Sequence, residues 1–194
     1  MIKKKQEELL DAVERCFARY GIDKTNLQDV AAEAGVSRQT VYRYFRDKNA
    51  LFEEVVLRAM RHFWQGVGLR FSHLDDLENW LLEVILYCVD EVPKDPHHAL
   101  IRQLDSVDSG MPISLSLEGV QPIVLAFAEQ FERAKSNGSL KSGLTEINVG
   151  VWAYRLIHTY LMLDQYPMRD KNELRHWLSE YVLSGLFNKQ VFAE

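Results

Sequence analysis

The sequence predicts an all-α protein of about nine helices, with a compact N-terminal three-helix head, a connecting fourth helix and a larger C-terminal helical bundle. Three observations lead there. Apolar residues recur at i, i+3, i+4 and i+7 along almost every segment and almost nowhere alternate at period two. Glycine, proline and short polar residues punctuate these stretches where caps and stops belong. No low-complexity linker or internal repeat interrupts the chain.

Leu9, Leu10, Val13, Phe17 and Tyr20 mark a first helix, closed by Gly21. Thr25-Asn26-Leu27-Gln28 fits a capping box, with Thr25 as the cap and Gln28 reaching back. Leu27, Val30, Ala31 and Ala34 face inward along a second helix that Gly35 ends. Ser37 suits the N-cap of a third helix, about 38–45, and Asp47 that of a fourth. The fourth carries Leu51, Val55, Ala59 and Phe63, with Gly66 and Gly68 loosening its far end. A fifth helix bears Leu77, Trp80, Leu81, Val84 and Cys88 and stops before Pro93. A short sixth covers about 96–105, followed by a loop, DSVDSGMP, at 105–112. The seventh carries Val120, Val124, Phe127 and Phe131 and ends near Asn137-Gly138. The eighth spans about 146–165, before Pro167, and the ninth about 170–187. The expected division is a head over 1–47, a connecting helix over 48–71 and a bundle over 72–194.

With 194 residues, 47% hydrophobic and 26% charged, the chain has enough apolar material for a real core and too much for disorder. No apolar run reaches the roughly 18 residues of a membrane span, and the longest candidate, 149–163, contains Arg155 and His158. The N-terminus lacks the apolar core and cleavage site of a secretory signal. Cys16 and Cys88 both fall in apolar helical patterns, which favours free buried thiols and a cytoplasmic location over a disulfide. The net charge of −5 is uneven. Residues 1–62 hold 12 Lys+Arg and 10 Asp+Glu, or +2, leaving 11 and 18, or −7, for the rest. A basic head on an acidic body points toward a polyanion at the head.

The stretch GVSRQTVYRYFR (35–46) contains no acid. Two short helices joined by a tight turn at Gly35, with small Ala31 and Ala34 before it, form a helix-turn-helix pattern. At about 100° per residue, Val41 and Phe45 share the buried stripe of the third helix, and Gln39, Thr40 and Arg43 face away from it. With Arg38 these side chains suit base edges in a major groove: arginine for guanine, glutamine for adenine, a threonine methyl for thymine. Thr25, Ser37, Tyr42, Tyr44 and Lys48 are candidates for phosphate contacts, which set position and not sequence. Lys3, Lys4 and Lys5 make a basic arm along the DNA backbone or a frayed terminus.

Residues 21–52, GIDKTNLQDVAAEAGVSRQTVYRYFRDKNALF, resemble the DNA-binding signature of TetR-family transcriptional regulators. The match extends past the turn into Tyr42-x-Tyr44-Phe45-x-x-Lys48-x-x-Leu51 and covers about residues 6–55. Gln39 departs from it, since many members carry glycine there, so base contacts do not transfer from a relative. The resemblance implies a regulator, most often a repressor, that binds a pseudo-palindromic double-stranded DNA operator as a homodimer through its last two helices. It implies a small-molecule effector in the larger domain, and neither cofactor nor metal.

On a helical wheel the eighth helix has two apolar faces, consistent with a second cover from a partner. One face carries Val149, Trp152, Ala153, Leu156, Tyr160 and Leu163; the other carries Val151, Tyr154, His158, Leu161 and Met162. Trp177, Leu178, Tyr181, Val182 and Leu186 are offered by the ninth, with Gly185 allowing close approach. Trp80, Tyr87, Phe127, Phe131 and Trp152 are candidates for an effector pocket, although aromatic residues at helical spacing are the normal filling of a bundle core, which is the favoured reading of each. Arg155 and His158 would serve a ligand or the dimer interface.

An enzyme is the main rival class. The six histidines show no metal-ligand spacing, His97-His98 reads as a helix start, and no nucleophile elbow or phosphate loop is present. A regulator of the same fold controlled by a protein partner, or without an effector, or acting as an activator, is the remaining alternative.

Overall fold

The computed structural model describes residues 2–95, 97–98, 100, 116–162 and 170–188. Among them are eight α-helices and no strand. They are α1 (Ile2–Tyr20), α2 (Leu27–Glu33), α3 (Arg38–Tyr44), α4 (Lys48–Arg70), α5 (Leu77–Glu91), α6 (Leu117–Ser136), α7 (Glu146–Met162) and α8 (Lys171–Trp177). Most of the expected sixth helix, the 105–112 loop and Leu163 lie outside the described residues, as do the side chains of Lys3 and Met162. The chain divides into two compact units between Ala59 and Met60, inside α4.

In the first unit, α1 contributes Leu9, Leu10, Ala12, Val13 and Cys16 to the core. It meets Val30 and Ala31 of α2, Val41 of α3, and Leu51, Phe52, Val55 and Val56 of α4, all buried. Gly21 ends α1 at φ +80°, and its N–H bonds to the Phe17 carbonyl at 2.9 Å. Only glycine takes such a φ without steric cost. The next cap sits one residue later than Thr25-Asn26-Leu27-Gln28 suggests. Asn26 caps α2, its Oδ1 accepting from the backbone N–H of Gln28 (2.9 Å) and Asp29 (3.1 Å), and Asp29 accepts from the Asn26 N–H in return. Thr25 is fully buried and donates its hydroxyl to the Gly21 carbonyl at 2.8 Å, closing the α1–α2 turn. Asp47 caps α4 as expected, accepting from the Ala50 N–H at 2.8 Å.

In the second unit, Trp80, Leu81, Val84 and Ile85 of α5, Ile123, Phe127 and Phe131 of α6, and Val149, Ala153 and Ile157 of α7 form the core. Two glycines set its closest approaches. A Cβ on Gly68 would lie 3.4 Å from the Cα of Ala126, so this glycine joins α4 to α6 and does not loosen the helix, which runs on to Arg70. A Cβ on Gly150 would lie 2.9 Å from Val124 Cγ2. That contact turns Val149, Gly150, Ala153, Tyr154 and Ile157 inward. Tyr154 therefore joins the buried stripe, whereas Val151, Trp152, Leu156, Tyr160 and Leu161 are half-exposed, which corrects the wheel's division into two faces.

The expected ninth helix is α-helical only over Lys171–Trp177. It continues as a π-helical stretch, Leu178–Val182, and a 3-10 turn, Leu183–Gly185. Long-range bonds hold its far end. Lys141 Nζ donates to the Gly185 carbonyl at 2.8 Å, the Lys141 N–H bonds Leu186, and Asn188 Nδ2 donates to Gly138 and Leu140.

Candidate nucleic-acid interface

The turn between α2 and α3 is built from backbone geometry. Gly35 adopts φ +64°, its N–H bonds the Ala32 carbonyl at 3.1 Å, and the Val36 N–H bonds Ala31 at 2.9 Å. Ser37 caps α3, accepting from the Thr40 N–H at 3.1 Å, with the two hydroxyl oxygens 3.0 Å apart. Thr40 thus shares one hydrogen bond with Ser37 and carries a methyl beside it.

Val41 and Phe45 are buried and fix the rotation of α3. Arg38, Gln39, Tyr42 and Arg43 are exposed, and Thr40 and Tyr44 half-exposed. The Arg43 guanidinium lies 5.4 Å from the Tyr44 ring centroid, and Lys48 Nζ 4.8 Å from that of Phe52. Neither Arg38 nor Arg43 forms an ion pair among the described residues, in contrast to Arg46, which meets Asp47 at 3.2 Å. On α1, Arg15 and Arg19 are both taken up by Glu33, at 2.7 and 3.1 Å, and hold its carboxyl below the usual range. The candidates on α3 are therefore exposed or half-exposed, and Arg38 and Arg43 meet no acid among the described residues. Thr25 does not join them: a side chain with no exposed surface and an internal hydrogen bond has nothing to offer a phosphate.

The second-unit candidates fall into separate groups. Trp80, Phe127 and Phe131 make one buried aromatic cluster, with successive centroids 5.8 and 6.3 Å apart. The Trp80 indole Nε1 is buried there with no hydrogen-bond partner among the described residues. Tyr87 belongs with Phe63 and Phe71, at 6.2 and 5.4 Å, beneath the Arg70 guanidinium. Trp152 is half-buried, and His158 stacks near Tyr154 at 5.7 Å. Arg155 is exposed, so it does not converge with the buried rings. No group of three or more His, Cys, Asp or Glu able to hold a metal occurs among the described residues, and no described helix is long and apolar enough to cross a membrane.

A short recognition helix presented by a glycine turn on a three-helix head defines the class of helix-turn-helix proteins. Residues 9–55 match the family described as bacterial regulatory proteins, tetR family. The match covers the head and the start of α4. The chain is 42% identical over 85 residues to the HTH-type transcriptional repressor Rv1474c of Mycobacterium tuberculosis, covering 40% of this chain and 46% of that one, about half its length. An uncharacterized HTH-type transcriptional regulator of the same organism, MT1294, is 27% identical over 177 residues, covering 91% and 83%. Among solved structures, the transcriptional regulator FadR from Bacillus subtilis in complex with stearoyl-CoA has the same fold, with a TM-score of 0.59 and 20% identity, the match covering 93% of this chain and 98% of that one. All three are described as transcriptional regulators or repressors.

Arg58 escaped the sequence reading. It is a cation in the apolar stripe of α4, with a side chain only 10% exposed, and it faces Glu7, Asp11 and Glu14 of α1. The visible signal was the acid spacing on α1, i, i+4 and i+7, which puts three carboxylates on one helical face.

Proposed function

We propose that this protein is a ligand-responsive, DNA-binding repressor of the cytoplasm that binds a pseudo-palindromic operator as a homodimer and is released by a small, largely apolar effector. The observation behind it is the exposed surface of α3: Arg38, Gln39 and Arg43 are exposed with no acidic partner among the described residues, on a helix locked by Val41 and Phe45. Arg43 and Gln39 have the donor patterns for guanine and adenine edges, with Arg38 beside them and the Thr40 methyl suited to thymine. Ser37, Tyr42, Tyr44 and Lys48 would hold the phosphates.

Support for a dimer comes from the half-exposed apolar residues of α7, Trp152, Leu156 and Tyr160, and from Tyr181, which is 71% exposed. Tyr160 and Trp177 meet edge to face at 6.3 Å, so the two elements present one continuous aromatic surface. Two heads about one DNA turn apart then read the two half-sites. For the effector, the support is the Trp80–Phe127–Phe131 cluster and its indole N–H, which has no partner among the described residues and would be satisfied by an acceptor on an otherwise apolar molecule. The relative FadR, seen with stearoyl-CoA, fits an effector of apolar character.

The test is selection of genomic fragments by the purified protein. The expected result is enrichment of one inverted-repeat sequence, whose neighbouring genes then suggest the effector. Recovery of fragments without a shared sequence would overturn the reading.

A further inference from the structure

Tyr44 is the last residue of α3. Phe45 beside it is buried, and its N–H bonds the Val41 carbonyl at 3.0 Å. The backbone that carries the Tyr44 ring is therefore fixed to the core of the head. The ring is half-exposed, and the exposed Arg43 guanidinium lies 5.4 Å from its centroid. That is within the roughly 6 Å over which a cation and a ring face attract. Adjacent residues on a helix do not face each other, so the contact comes from the reach of the two long side chains and not from the helix alone.

A free arginine samples many rotamers, and ordering it at a base edge reduces affinity. A holder already in place removes part of that loss. An acid can hold a cation too, as Asp47 holds Arg46 at 3.2 Å. But on a helix that meets DNA a carboxylate would repel phosphates, and it would occupy the N–H donors that a guanine edge takes. A ring face carries no net charge and leaves those donors free. GVSRQTVYRYFR (35–46) sets a tyrosine on each side of Arg43 and contains no acid.

We propose that Tyr44 is a positioning residue for base reading: its ring holds the Arg43 guanidinium, so that Arg43 meets its base edge already ordered. The Tyr44 hydroxyl stays available to a phosphate, so the side chain serves register through its oxygen and sequence through its ring. This deepens the proposed function and rests on that reading.

The experiment uses the full chain with Tyr44→Leu, with Tyr44→Phe, with Arg43→Ala, and with Tyr44→Leu and Arg43→Ala together. Affinities are measured for the operator fragment recovered by selection and for random DNA of the same length, each scaled to the folded fraction by circular dichroism. The quantity read is the ratio of the two affinities. Tyr44→Leu is expected to lower the ratio about two- to fivefold, the worth of an exposed contact between cation and ring. Tyr44→Phe keeps the ring and should keep the ratio, even where the lost hydroxyl weakens binding to both DNAs alike. With Arg43→Ala already present, Tyr44→Leu should leave the ratio unchanged, because a residue that acts through Arg43 then has nothing to act on. An undiminished ratio in Tyr44→Leu, an equal fall in Tyr44→Phe, or the same fall with and without Arg43 overturns the proposal. A second readout needs no DNA. The Tyr44 ring current should shift the Arg43 side-chain protons in the NMR spectrum, and that shift should vanish in Tyr44→Leu and persist in Tyr44→Phe. If the unsubstituted protein selects no DNA, the functional reading fails, and the proton shifts alone decide whether the ring holds Arg43.

Discussion

Gly150 of α7 faces Val124 of α6 so closely that a Cβ would stand 2.9 Å from its Cγ2 and 3.3 Å from Val120 Cγ1. Gly150→Ala therefore sets two effects in opposition. Alanine favours the helix by about 1 kcal/mol, and overpacking costs about 1–3 kcal/mol. The packing loss should win, because Val120 is buried and cannot retreat freely. Gly66→Ala is the control: nothing lies within 4 Å of a Cβ there, and it should stabilise. Thermal unfolding of both variants checks the pair; a stabilising Gly150→Ala would show that α6 and α7 separate easily.

The position of the α2 cap is open to a direct check. Asn26→Ala should lower stability by about 0.5–2 kcal/mol, while Gln28→Ala, exposed and outside the observed capping box, should change it little. Denaturant melts of the two would return the opposite order if Thr25 and Gln28 formed the box.

Arg43→Ala should weaken binding to the selected operator far more than to random DNA, by about 1–3 kcal/mol on the operator. Lys48→Ala should weaken both alike and flatten the salt dependence by roughly one ion. Titrations at several salt concentrations separate the two roles; equal losses for Arg43→Ala would remove it from base reading.

Acid should loosen the contact between α5 and α8. Arg175 makes a two-pronged ion pair with Glu83, one prong at 3.0 Å, and holds the Glu83 carboxyl below the usual range. A carboxyl with a lowered folded pKa contributes its full stability above the unfolded value, about 4.3, and loses it as pH falls through the folded one. Glu83→Gln should therefore reduce stability near neutral pH and flatten the acid limb below about pH 5. Melting temperatures from neutral pH downward provide the readout, and parallel curves for the two proteins would count against it.

Leu156→Arg should yield a monomer at micromolar concentration in sedimentation, with helicity retained, because the side chain lies on the half-exposed side of α7. An unaltered dimer would place the interface elsewhere.

What the sequence made legible was whatever nearest neighbours decide. Ser37, Asp47, Gly21 and Gly35 act as expected because a cap or a positive φ depends on a few adjacent residues. The exposed face of α3 was legible for the same reason: Val41 and Phe45 set its rotation. Thr25 and Asn26 are both competent caps, and burial of Thr25 decided between them. The end of the expected ninth helix is held by Lys141 and Asn188 through bonds across more than forty residues, which no local pattern contains. The inward face of α7 depended on Val124, which no wheel of α7 contains. Arg58 was hidden because periodicity treats a cation in an apolar stripe as an exception, and its partners lie 44 or more residues earlier.

The pairing of Arg15 and Arg19 with Glu33 has a consequence at long range. The N-terminal 62 residues sum to only +2, too little for strong attraction. But Glu33 offsets one of the two α1 arginine charges, while Arg38 and Arg43 meet no acid among the described residues, which gives the head a lopsided potential. Such a molecule feels a torque in the field of a polyelectrolyte before it feels much pull. The torque would turn α3 forward within a screening length, about 8 Å at physiological salt. Raising ionic strength would then slow encounter through lost orientation, and Glu33→Gln, by freeing two arginines on another side, would blur it.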